Sequence, residues 1–442
     1  MENSLDTRER RSIANIQKLR FFPLPIVGGN GSYLVLEDGR RVLDMSGTWG
    51  AATLGYSHPT IVEAVTNSVS NMAGASSISS TSAPSVYLAE ELLNLSPDPK
   101  NHRVWLGHCG SEANDAMVRA VTAATGRNRF ISFIGGTHGG FTGGISISGY
   151  DALQINTESA ARPGQIYIPY PDPYRPPFAG DVSTQVLSYF EYLLNTMAPP
   201  HQVAGVIIEG IMCDGGDIVP PPGFLSGLAE LCKIHNILLI FDEVKVGLGR
   251  TGLMHSFDIE GVVPDLISYG KALGGGLPLA ALIGPSYIMD NPKGLTVTTT
   301  QGNPIAASAG RAVLKTISSE RLCDNAREVG SQLITGLKQL AEKHSLIGDI
   351  RGRGLVIGVD LVSDHESKRP ADLECAKIVF RAQELGAVFF YVGSGSNVIE
   401  LTPPINLNKK EAEEALQILD RAFEDVEHGR VADEDVAKYT GW

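Results

Sequence analysis

Three strand-like apolar runs, each stopping at an ionisable side chain, constrain this chain more than anything else in it: residues 203–209 (VAGVIIE), 237–243 (ILLIFDE) and 266–271 (LISYGK). Their apolar residues follow one another without alternation, which suits a strand covered on both faces. Between the first two lies an amphipathic stretch, 224–235, fit for a crossover helix. From about residue 60 to 309 short apolar runs keep alternating with helix-like stretches, a rhythm that predicts an α/β fold around a largely parallel sheet. Such sheets bind ligands beyond the carboxyl ends of their strands. Glu209, Asp242 and Lys271 fall at that edge, so they are predicted to converge on one site; the alternative is three unrelated strand ends.

The last third has a different rhythm. Residues 371–385 read as a helix, 388–392 and 398–401 as strands, and Asn408 opens a further helix with Glu411 placed as in a capping box. Ala412, Ala415, Leu416, Leu419, Ala422, Phe423 and Val426 then form one helical stripe. This predicts a smaller α+β domain over 316–442, a large domain over 60–315, and an N-terminal segment 1–59 that joins the small one.

A formal net charge of −13 disfavours nucleic acid and anionic membrane as partners, since both would repel the chain. It leaves room for a small anionic ligand in a locally positive pocket. The five cysteines (109, 213, 232, 323, 375) are scattered and include no CxxC pair, so neither a zinc site nor a disulfide framework is expected and a reducing cytoplasm is the default. The N-terminal residues are polar and charged, and no apolar run is long enough to span a bilayer.

Within this frame some residues can carry chemistry. Gly110 and Ser111 join a strand-like run to a helix; free amides and a helix N-terminus there suit a phosphate, although Ser111 could equally be a plain cap. The loop 135–144 (GGTHGGFTGG) is dense in glycine, as close backbone approach to a ligand requires, or as a surface loop allows; His138 within it either flanks a ring or meets a local hydrogen bond. Asp242 is followed 29 residues later by Lys271. A buried carboxylate can keep a pyridine nitrogen protonated, and a desolvated lysine at a strand end can form a Schiff base.

The segments GSEAN, GGTHGG, IIEG, FDEVKVGLGRTG, SYGKALGGGLPLAALIG, TTQGNPIAASA and DIRGRGL, in this order, resemble class III (subgroup II) aminotransferases of pyridoxal 5′-phosphate (PLP) fold type I, over nearly the whole chain. Within that family NIQKLRFFPL, SGTWGAATLGY, PYPDPYRP, DEVKVGL and the terminal GW are most similar to the α-amino-ε-caprolactam racemase type. The resemblance implies that Lys271 carries PLP, Asp242 pairs with its ring nitrogen, Val244 packs on a ring face, and Gly110 and Ser111 bind the phosphate. It also implies that Thr299 reaches the phosphate of a neighbouring subunit in a homodimer, and that Glu209 lies on the substrate side.

Departures from the family pattern carry information too. Lys245 replaces the usual glutamine after DEV and would favour an ionised ring oxygen. Thr137 stands where an aromatic residue normally precedes His-Gly, with Phe141 as a substitute stacking partner, and Gly210 replaces a proline. Glu400 occupies the place of an arginine that grips substrate carboxylates. A carboxylate there is expected to repel free amino acids and accept an amide N–H, unless Arg351 or Arg353 restores carboxylate binding. Trp49 would supply an apolar substrate wall, or simply core packing.

Racemase and aminotransferase both begin by removing the Cα proton of an amine. A racemase returns a proton from the opposite face and needs a second acid/base; Asp214, in MCDGGDIVPPPG, is the candidate, with a loop cap as its alternative reading. The expectation is a PLP racemase of α-amino lactams or amino acid amides, with a keto-acid-dependent aminotransferase as the alternative. A non-catalytic binding module is disfavoured because Lys271 and Asp242 are both present.

Overall fold

The computed structural model describes residues 4–72, 74–150 and 164–439; the terminal GW motif lies outside them. At its centre are seven strands, β1 (His102–Gly107), β2 (Arg129–Ile134), β3 (Ile166–Pro169), β4 (Val203–Ile208), β5 (Leu238–Asp242), β6 (Leu266–Tyr269) and β7 (Ala280–Pro285), in the order β1-β7-β6-β5-β4-β2-β3. β7 pairs antiparallel with both β1 and β6, and every other neighbouring pair is parallel.

Both faces of this sheet are buried, as the unalternating runs require. Ile207, Ile240, Leu266 and Leu282 pack with Met117, Val118 and Val121 of helix α1 (Gly110–Thr125). Val206, Ile208, Leu239, Phe241 and Ile267 belong to the main core together with Phe224, Leu225 and Leu228 of the crossover helix Phe224–Ile234. Each such side chain stabilises the fold by about 1.5–3 kcal/mol.

The strands Ile26–Asn30, Tyr33–Leu36 and Arg41–Asp44 continue, through a parallel pairing, into Ala387–Val388, so the first and last parts of the chain share one sheet. A further sheet joins Ile347–Arg353, Val356–Asp364, Val398–Leu401 and Phe390–Val392. Helix Lys409–Glu427 starts at Asn408 with the capping box formed, and all seven residues of its apolar stripe are buried. Residue 315, taken from the sequence as a boundary, lies inside the unbroken helix Pro304–Ser319. Among the described residues no helix is long and apolar enough to cross a membrane.

One buried cation ties these parts together. Arg250 is fully buried and donates to the carbonyls of Leu355 (3.1 Å), Pro403 (2.7 Å) and Gly50 (3.2 Å). Burial pushes its guanidinium down to about 10. Arg250→Met would keep the bulk and strand three carbonyls; urea unfolding should show a loss of at least about 3 kcal/mol.

Candidate active site

Strands β4, β5 and β6 are immediate neighbours and mutually parallel, so the residues that end them emerge side by side. Glu209, Asp242 and Lys271 consequently line one cavity of about 490 Å³. Its walls also include Gly110, Ser111, His138, Asp214, Val244 and Lys245. Lys271 begins a short turn directly after β6 with φ +29, a conformation that a side-chain-bearing residue adopts only when its surroundings impose it.

Asp242 sits beneath the cavity in a cage of donors. Its Oδ2 accepts from Asn114 Nδ2 (2.7 Å) and His138 Nδ1 (2.8 Å), and its Oδ1 from the Val244 amide (3.0 Å). Burial opposes charge on the His138 imidazole, but its bond to Asp242 raises it above the ordinary histidine range. Asn114 escaped the sequence reading. It lies one turn along α1 from Gly110, and the N of GSEAN was the only signal for it.

At the start of α1, Cys109 gives no side-chain cap, which leaves the turn at Gly110 and Ser111 facing the cavity. A Cβ at Gly110 would meet Val244 Cγ1 at 2.5 Å, so this glycine lets the turn and Val244 pack in contact. Gly139 has φ +106, and a Cβ there would overlap Ser111. The glycine loop is therefore folded onto the turn, and the Gly140 amide donates to Ser111 Oγ (3.1 Å).

Glu209 staples that loop to the next turn: its carboxylate accepts from the amides of Thr137 and Cys213, both at 3.2 Å. Burial, reinforced by Asp242 and opposed by His138, pushes it up to about 7. Asp214 behaves differently. Burial works against its charge, yet Lys245 and Lys271 hold its carboxyl below the usual range.

Other sequence-derived roles change. Lys245 is on the wall, but its ammonium reaches Asp214 Oδ1 (3.0 Å) and the Glu400 carboxylate. Burial opposes that charge, and Asp214 and Glu400 raise it well above the ordinary lysine range. Glu400 is fully buried, bonded to Lys245 and to Thr402 Oγ1 (3.3 Å), and is absent from the cavity wall, which corrects the expectation that it meets substrate directly.

Trp49 is likewise placed behind the wall. It packs on Phe390 (4.6 Å between ring centroids) and Phe21 (5.8 Å), with Lys245 Nζ 5.2 Å from its ring, while Ala51 of the same segment faces the cavity. Phe141 is half-exposed and off the wall, whereas Thr137 is on it. Arg351 is spent on the Gly216 carbonyl, Asp349 and Asp360, each at 2.9 Å, and Arg353 lines a separate small crevice. Thr299 is exposed and does not line this cavity; its neighbours Thr298 and Thr300 bond to Glu112 and His108.

A lysine after one strand, a caged carboxylate ending the next, and an open helix start define the site of a PLP-dependent enzyme. The chain belongs to the class-III aminotransferase family, which it matches over residues 15–423. It is 35% identical to an alanine/serine racemase of Pyrococcus horikoshii, covering 96% of this chain and 90% of that one. It is 34% identical to a leucine/methionine racemase of Thermococcus litoralis over 98% of both. Among solved structures, an amine transaminase from an uncultivated Pseudomonas species, in PLP-bound form, superposes with a TM-score of 0.85 at 30% identity, covering 91% and 95%. The cofactor is PLP, and the residues lining the cavity fit it: Lys271 would tether it, Asp242 would face the ring nitrogen, Val244 a ring face, and the Gly110–Ser111 turn the phosphate.

Proposed function

We propose that this enzyme is a racemase acting at the Cα of amino acid amides or α-amino lactams of the α-amino-ε-caprolactam type. The observation that carries this reading is Asp214: a carboxylate kept ionised by Lys245 on the same cavity wall as Lys271. Bound PLP supplies an electron sink that acidifies the Cα–H bond of an attached amine. The chain's own part is then to move a proton on each face of Cα. Lys271 Nζ takes or gives it on one face and Asp214 on the other, each acting as base in one direction and as acid in the reverse. His138 and Asn114 fix the Asp242 carboxyl, which would be the group that pairs with the ring nitrogen.

The substrate class follows from what the wall offers. No arginine lines the cavity among the described residues, because Arg250, Arg351 and Arg353 are all engaged or placed elsewhere. Its lysines are Lys271 and Lys245, of which Lys245 is already matched by two carboxylates, and His138 is bonded to Asp242. A second negative charge on the substrate would find no bidentate partner, whereas a neutral carbonyl needs none. The exposed Thr299 supports a homodimer in which that loop serves the neighbouring site.

Incubation of one enantiomer of an amino acid amide in D₂O, without keto acid, tests the reading. Optical rotation should decay to zero while Cα gains deuterium and total amine stays constant. Turnover that appears only when a keto acid is added would replace the racemase with an aminotransferase. Faster racemisation of the free acid than of its amide would overturn the substrate class.

A further inference from the structure

Asp217 follows Asp214 on the same tight turn, which is closed by bonds from the Gly216 and Asp217 amides to the Cys213 carbonyl (2.8 and 2.9 Å) and by the bridge between Met212 and Ile218. It is fully buried, neither of its carboxylate oxygens has a hydrogen-bond partner, and its backbone is left-handed (φ +51). An unbonded buried carboxyl and a strained backbone are both costly, and such a combination persists where it serves a site. The surroundings are built to receive it. A Cβ at Gly358 would come within 2.9 Å of Asp217 Cβ, and Gly358 is paired in register with Glu400. Asp217 is thereby seated against the buried partner of Lys245.

The groups facing it are Cys213 and Asp214 from its own turn, Lys245 from the loop after β5, Glu400 from strand Val398–Leu401, and Arg351 from strand Ile347–Arg353. Three carboxyls thus surround one ammonium whose hydrogen bonds reach only two of them, Asp214 and Glu400. We propose that Asp217 is a positioning residue: buried without a hydrogen-bond partner beside Glu400, it leaves Lys245 bonded to Asp214 and so sets the upper end of the pH range in which Asp214 serves as the second acid/base. This rests on the role given to Asp214 above. Burial and the Glu400 carboxylate push the Asp217 carboxyl well above the usual range. When Asp217 loses its proton at high pH, a third negative charge draws the Lys245 ammonium toward it. Asp214 then loses the bond that aims it at Cα.

The test is the pH profile of racemisation by the PLP-loaded enzyme and its Asp217→Asn variant, with Cα deuterium uptake as the readout. Asparagine tolerates the left-handed backbone and stays uncharged. The alkaline limb should move up by at least about one pH unit, as removal of a nearby charge does, while the acid limb stays in place. A role in packing alone would lower the rate equally at every pH and leave both limbs where they were, which would overturn the proposal.

Infrared spectroscopy of the unaltered enzyme gives a second measurement that needs no variant. A carboxylic-acid band should survive above about pH 8, beyond Glu209 and Glu243, both pushed up to about 7, and vanish together with the alkaline limb. No such band would overturn the proposal. A wild-type enzyme that does not racemise would sink the functional reading and this inference with it. A wild-type racemase whose alkaline limb Asp217→Asn leaves unmoved would overturn only the part played by Asp217.

Discussion

Lys271→Ala is expected to abolish turnover, with a fall of about 10⁴-fold, and to release the cofactor on dialysis. On the proposed reading one nitrogen would perform two tasks in this site, covalent attachment and proton exchange at Cα, and the second alone would account for about 10²–10⁴-fold. No other lysine can take over attachment without moving: Lys245 is the second lysine on the described wall, and it is committed to Asp214 and Glu400. Peptide mapping after borohydride reduction of the unaltered enzyme should place the cofactor on Lys271. An adduct elsewhere, or substantial activity in the variant, would show that the site has been misplaced.

Asp214→Asn should separate the two faces of the reaction. The variant keeps the shape of the side chain but cannot exchange a proton, so racemisation should fall by about 10²–10⁴-fold. Deuterium uptake at Cα should nonetheless continue for the one enantiomer whose proton faces Lys271. That asymmetry is what distinguishes a second acid/base from a group that merely shapes the cavity. Equal losses of exchange for both enantiomers would assign Asp214 a structural part only.

Much of this site could be read along the chain because its main residues end strands. An apolar run that stops at Glu209, at Asp242 or just before Lys271 places its last side chain at a sheet edge, and parallel neighbours put those ends together. The same local logic located the Gly110–Ser111 turn and the capping box at Asn408, which depend on residues only a few positions apart. Glu400 was misread for the opposite reason. Its type and position in the chain suggested a substrate contact, but its neutralising partner, Lys245, is 155 residues away.

The sequence by itself determined the strand ends, the helix starts and the family, since each is written in residue spacing and in side chains that meet only nearby backbone. Only the tertiary structure decided which of the other charges reach the cavity and which are neutralised behind it. Pairing of Val356–Asp364 with Val398–Leu401 carries Glu400 behind Lys245 and seats Asp217 over Gly358. Asp349, Asp360 and the Gly216 carbonyl occupy the guanidinium of Arg351. The physical reason is that a buried charge takes its character from whichever group neutralises it, and that group is chosen by long-range packing rather than by proximity along the chain.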